Sequence, residues 1–222
     1  MEEPLSPFEF KQCVNILKST GKKARSLREL RDAITVVSPE ALIHHTCQYY
    51  LKGHVLEYTN DFARWVAELL EERMLAEQLS GIDPYAYASM GEVRDELVRV
   101  IDEYLRIVGS AREMPPGDEF FFNEAITFVV PAGLQARNLA EFLIAIQYLD
   151  SSSIYYHFYE ARIRLGGSDD FSSWLGGSLN KKTLAEKIRK IDLFMHTIEG
   201  TKRHIMEAVE EEVRKDMERV EL

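Results

Sequence analysis

Cysteine is the scarcest informative residue in this 222-residue chain. Cys13 and Cys47 cannot build a disulfide framework, and a reducing compartment is the simpler setting. No apolar run approaches the roughly 20 residues of a membrane span. The opening Met1-Glu2-Glu3-Pro4 lacks the charged-then-apolar layout of a secretory leader. A basic surplus is also missing: 27 Lys and Arg face 37 Asp and Glu, a net charge of −10, and neither half is basic. That speaks against nucleic acid or an acidic membrane as a partner for the whole surface. Asn and Gln number five each, a scarcity of thermolabile amides that fits a hot habitat. No Gly-x-Ser-x-Gly, Walker loop or dinucleotide glycine fingerprint occurs, so no cofactor is called for. These absences exclude a collagen, a coiled coil, a helical membrane protein and a secreted disulfide scaffold. A soluble cytoplasmic protein is the expectation.

Against these absences stands a chain that is 45% hydrophobic. It is long enough to bury roughly 70% of its unfolded surface without covalent staples. Self-similarity is its clearest property. Residues 24–47 align with 136–159 at an offset of 112, with seven identities: Ala24-Arg25, Leu27, Glu29, Ala33-Ile34 and His45 meet Ala136-Arg137, Leu139, Glu141, Ala145-Ile146 and His157. At an offset of 109, residues 61–84 give nine more. These include Asp61-Phe62, Trp65 and Leu75-Ala76-Glu77 on Asp170-Phe171, Trp174 and Leu184-Ala185-Glu186. Upstream, Phe8, Phe10 and Gly21 meet Phe120, Phe122 and Gly133. The expected organisation is repeat one at 8–108, a linker at 109–118 around Pro115-Pro116-Gly117, and repeat two at 119–216, together forming one compact unit.

Each repeat reads as helices. Ser26-x-x-Glu29 and Asn138-x-x-Glu141 are capping boxes before apolar series at helical spacing. Ser38-Pro39 opens a second helix, since proline at the first helical position loses no needed N–H. Asp150 and its serines do the same in repeat two. Asn60-Asp61 and Asp169-Asp170 can cap a third helix carrying Trp65 or Trp174. The segment 8–18 looks helical. Residues 120–130 are rich in strand formers, yet they align with that helical-looking stretch. The fold expectation is therefore all-α, with one short strand near 120–130 left open, and two helical repeats packed with pseudo-two-fold symmetry.

Several of these motifs occur together: Phe-x-Phe, Gly-x-x-Ala-Arg, Leu-x-Glu-Leu, Ile154-Tyr155-Tyr156-His157-Phe158, Asp-Phe-x-x-Trp and Leu-Ala-Glu. The combination resembles a prokaryotic family of unknown function whose members are helical and often duplicated. The resemblance covers nearly the whole chain and implies no activity. Repeat one departs from it, with Leu42-Ile43-His44-His45 where repeat two has the fuller aromatic run.

For chemistry, His157 and Asp170 with Tyr155, Tyr156 and Tyr159, and their counterparts His45 and Asp61, carry the residue types of acid–base catalysis. The structural reading is stronger. Both histidines sit on apolar helical stripes, and a half-buried imidazole needs a partner that the aspartate opening the next helix can supply. His44, His45, Cys47 and His54 invite zinc, but helical geometry spreads them and repeat two does not repeat them. His196, Glu199 and His204 carry a weaker metal signal, and no metal is called. Lys18, Lys22, Lys23, Arg25, Arg28 and Arg31 put six cations in 14 residues. Lys22, Lys23, Arg25 and Arg28 are accordingly candidates for an anion site, against the simpler reading of a solvated face. The function expected is a non-catalytic interaction or adaptor module presenting a helical surface to a protein or anionic ligand, with self-association open. The alternative is a small-molecule-binding or hydrolase-like protein using His157, Asp170, Tyr156 and Tyr159.

Overall fold

The computed structural model describes residues 6–48, 57–109, 112–193 and 195–220. Two 17-residue strands, β1 (Phe8–Ala24) and β2 (Phe120–Ala136), pair antiparallel in a two-stranded sheet. After β1 come α1 (Leu27–Val36), α2 (Pro39–Thr46), α3 (Asp61–Glu68), α4 (Arg73–Ser80) and α5 (Met90–Val108). After β2 come α6 (Leu139–Tyr148) and α7 (Ser151–Ile154), which runs through a π-helical turn at Tyr155–Glu160 into α8 (Ala161–Arg164). The chain ends with α9 (Asp170–Gly177), α10 (Lys182–Arg189) and α11 (Ile198–Val220).

The all-α expectation is therefore corrected to a mixed α and β architecture. The helical reading of 8–18 fails, and the short strand near 120–130 is a long one. The local signal misleads because Phe10, Val14 and Leu17 also sit at helical spacing. What decides is period two at the strand starts: Phe8, Phe10, Phe120 and Phe122 are buried, while Phe121 between them is 51% exposed. Each strand finds its hydrogen-bonding partner more than 100 residues away, which no local pattern reveals. Thr20 Oγ1 donates to the Phe122 carbonyl at 2.7 Å, and Thr127 Oγ1 to Asn15 Oδ1 at 2.7 Å. Gly21 (φ 73°) and Gly133 (φ 75°) take left-handed backbone within their strands, a conformation glycine adopts without the Cβ penalty.

The chain divides into two compact units. One comprises Asn15–Thr127; the other comprises Met1–Val14 with Phe128–Leu222. The boundaries cut through both strands and do not follow the 8–108 and 119–216 repeats. In the first unit, Phe120 and Phe122 pack on Phe62 with ring centroids 5.2 and 6.1 Å away, amid buried Leu27, Leu30, Ile34 and Leu97. In the second, Phe8 and Phe10 pack on Phe142 and Phe171 at 5.4–6.3 Å between each strand ring and its helical partner or between the two helical rings. Burying a phenylalanine contributes roughly 1.5–3 kcal/mol, so each strand start is held mainly by these rings. Residues 113–118 are more than a spacer. Met114 is buried, its N–H donates to the Arg25 carbonyl at 2.7 Å, and its own carbonyl accepts from Arg25 Nε at 3.0 Å.

Helix starts are locally encoded. Ser26 Oγ accepts the Glu29 N–H while Glu29 Oε2 accepts the Arg25 N–H at 2.7 Å; Asn138 and Glu141 repeat the exchange at 2.8 and 2.8 Å. Ser38, Asn60, Asp150 and Asp169 each accept an N–H three residues on. Each such cap contributes about 1 kcal/mol.

Candidate functional site

α2 and α3 bring His45 against Asp61 in the first unit. Both are buried, with His45 Nδ1 2.8 Å from Asp61 Oδ2. The π-helical turn and α9 bring His157 against Asp170 in the second unit, again at 2.8 Å. The other ring nitrogen is decisive. His45 Nε2 accepts the backbone N–H of Asn123 at 3.0 Å, and His157 Nε2 accepts that of Lys11 at 2.8 Å. An Nε2 that accepts must be unprotonated, so the proton sits on Nδ1 and is donated to the aspartate. Each imidazole is neutral, and its one lone pair is committed to a strand.

Electrostatics agree in the second unit. Burial pushes the His157 pKa below the ordinary histidine value and outweighs the stabilising effect of Asp170. Burial also pushes Asp170 upward, but hydrogen bonds from His157 and Arg164 together hold it below the ordinary aspartate value. Arg164 donates to the same Oδ2 at 2.9 Å and lies over the Tyr156 ring at 5.1 Å.

The tyrosines do not converge on His157. Tyr159 is buried; its hydroxyl lies 2.7 Å from Thr201 Oγ1, and burial raises its pKa to about 12. Tyr155 stacks on Tyr159 at 6.1 Å. Tyr156 meets the edge of the His157 ring at 4.9 Å, with its pKa raised by burial. Among the described residues both His157 nitrogens are taken by Lys11 and Asp170, not by any of the three phenols.

A cleft of about 370 Å³ lies at the His45–Asp61 pair. Its lining includes Arg64, Trp65, Glu68, Glu119, Phe120 and Asn123. Sequence reasoning missed Arg64, Glu68 and Glu119, which bear no motif: the first two lie one turn apart on α3 and Glu119 is brought to them from just before β2.

His44, His45 and Asp61 place ligand-type atoms within 4.8 Å of one another. They do not suit a metal. Both His45 nitrogens are committed, and His44 Nδ1 lies 3.0 Å from Gln48 Oε1. Coordination would require giving up the main-chain bond to Asn123. Cys47 is buried with its thiol pKa pushed up to about 12, against thiolate ligation. His54 lies outside the described residues.

The basic segment is largely neutralised internally. Lys18 pairs with Glu124 at 2.8 Å, Lys23 with Glu119 at 3.0 Å and Arg31 with Asp102 at 2.9 Å. The Gly117 N–H and the Lys23 ammonium pull the Glu119 pKa down to about 2. Arg25 caps the Met114 carbonyl. Lys22 and Arg28 are exposed and enter no ion pair among the described residues, so two of the four anion-site candidates keep an uncommitted charge.

Fold and site together define a class: two compact α/β units, each built around a strand-locked His–Asp pair. The family of unknown function DUF5752 matches residues 5–210, and the chain belongs to that family. Among solved structures, OrfY from Thermoproteus tenax is similar at a TM-score of 0.78 and 33% identity, covering 93% of this chain and 95% of that one. Comparison with curated proteins finds no match. No helix among the described residues is long and apolar enough to cross a membrane.

Proposed function

We propose that this protein is a non-catalytic interaction module acting in the cytoplasm of a prokaryote. The observation that carries the reading is the double commitment of His45 and His157. Each gives its proton to an aspartate and its lone pair to a strand N–H. A general base needs a free lone pair within reach of a substrate proton, and neither imidazole offers one. These pairs fasten the strand starts to the helices instead.

The surface offered to a partner includes the strands. In the first unit Ile16, Leu17, Phe121 and Ile126 are exposed; in the second, Val14, Phe128, Val129 and Val130. Apolar side chains left open in this number along the two strands are the kind of surface a protein partner covers. The partner is a protein or a second copy of the chain. An anionic ligand at Lys22 and Arg28 is the weaker option, because their neighbours are already paired.

The recurrence of the same hydrogen bonds in both halves supports the same reading. The strand donors Lys11 and Asn123 are 112 residues apart, as are His45 and His157. Trp174 Nε1 donates to the Ser6 carbonyl and Trp65 Nε1 to that of Asp118; the two acceptors are again 112 apart and the tryptophans 109. A device kept in both halves is more simply a structural constraint than two copies of one active site.

Acylation by diethyl pyrocarbonate tests the proposal, since it needs an accessible, unprotonated imidazole nitrogen. The half-exposed His196 and His204 react in the native protein, and His45 and His157 react only after unfolding, as read by peptide mass analysis. Native modification of either His45 or His157 refutes the proposal.

A further inference from the structure

The second unit has a cleft of about 640 Å³ between α10 and α11 that plays no part in the His–Asp pairs. It is lined by His196, His204, Glu207, Asp192 and Glu211, with Lys187 and Lys190 on the α10 side. Two of the chain's six histidines meet here, their rings 4.3 Å apart at 52°. His204 Nδ1 lies 3.3 Å from Glu207 Oε2. These two share a helix face at i,i+3, so neither needs a backbone change to present its ligand atom on that face.

His196 is held in place from outside the helix. Thr197 Oγ1 accepts the Gly200 N–H at 3.1 Å and caps the first turn of α11. A Cβ on Gly200 would stand 3.4 Å from His196 Cβ, at van der Waals contact, so the preceding loop lies close on the helix. Lys187 is paired with Glu211, 2.6 Å away. The C-terminal end of α10 adds partial negative charge on that side.

We infer that His196, His204 and Glu207 form a binding site for a divalent transition metal of the zinc, nickel or copper type, completed by water. Two imidazoles and one carboxylate select these ions over magnesium and calcium, which want all-oxygen shells. Nitrogens sharing a tetrahedral metal stand about 3.4 Å apart, given metal–nitrogen bonds of about 2.1 Å. Ring centroids 4.3 Å apart are near that spacing, and side-chain rotation is the movement the site would require. Both histidines are only half-buried, so the site has an entry path and room for solvent ligands. It differs from the His44–His45–Asp61 cluster, where hydrogen bonds occupy the ring nitrogens.

The test is titration of the full chain with Co²⁺, followed by its visible d–d absorption, and with Zn²⁺ by calorimetry. One equivalent binds, and excess Mg²⁺ does not displace it. His196→Ala and His204→Ala each weaken binding by at least about tenfold, and Glu207→Gln weakens it less. His44→Ala leaves binding unchanged. Circular dichroism establishes that the exposed-site variants remain folded, and His204→Gln serves as a second variant if His204→Ala does not. The inference is overturned if neither metal binds, if Mg²⁺ competes equally, or if folded His196 and His204 variants bind like the wild type.

Discussion

Replacing His157 by alanine removes two hydrogen bonds and a packed ring at once, and the cost follows from the surroundings. The Lys11 N–H loses its acceptor in a partly buried position, which costs about 1–3 kcal/mol. The ring touches Phe8, Phe10, Tyr156 and Phe171 at centroid distances of 4.9–6.2 Å, and a large-to-small change in such a site costs about 2–4 kcal/mol. Asp170 keeps Arg164 at 2.9 Å, so no orphan carboxylate adds to the total. The sum is about 3–7 kcal/mol, or a fall in Tm of roughly 6–28 °C for a chain of this size. His157→Gln, whose amide oxygen can still accept from Lys11, loses less than half of that. The pH dependence carries a sign. The folded-state pKa is depressed by burial, so below about pH 6.5 the unfolded chain binds a proton that the folded chain resists. The stability from neutral His157 is therefore complete above that pH and is lost as the pH falls from it toward the folded-state value. His157→Gln flattens this part of the profile. Differential scanning calorimetry across pH 5–8, a window chosen about the ordinary histidine pKa, reads both effects. A His157→Ala protein melting within about 2 °C of wild type would refute the reasoning, because that shift corresponds to less than about 1 kcal/mol.

Two further outcomes are expected. Cys13 and Cys47 are buried thiols whose pKa values burial raises to about 12; Ellman's reagent at mildly alkaline pH labels neither in the native state and both in denaturant, and fast native labelling of either would contradict their placement. A Cβ at Gly21 or Gly133 meets nothing within 4 Å, so Gly21→Ala or Gly133→Ala costs only the left-handed backbone penalty of about 1–2 kcal/mol, read as a lower Tm; an unchanged Tm in both would show that neither strand needs its glycine.

The features legible in the amino-acid order lie mostly within one turn of chain. Capping oxygens three residues before the N–H they accept, at Ser26, Ser38, Asn60, Asn138, Asp150 and Asp169, place helix starts because donor and acceptor are neighbours in sequence. The pairing of each histidine with the aspartate opening the next helix was also legible, since only 16 and 13 residues separate the partners. Tertiary structure decided the rest. Phe8 and Phe10 belong with helices that begin after residue 138, and Phe120 and Phe122 with helices that end before 109. A strand is defined by a partner that may lie anywhere in the chain, so its local pattern can mimic a helix until the partner is known. The same long separation hid what fixes the histidines: the Lys11 and Asn123 N–H groups that occupy Nε2 are 146 and 78 residues distant. Residue type alone suggested a base; the backbone donor brought in by the fold removed its lone pair.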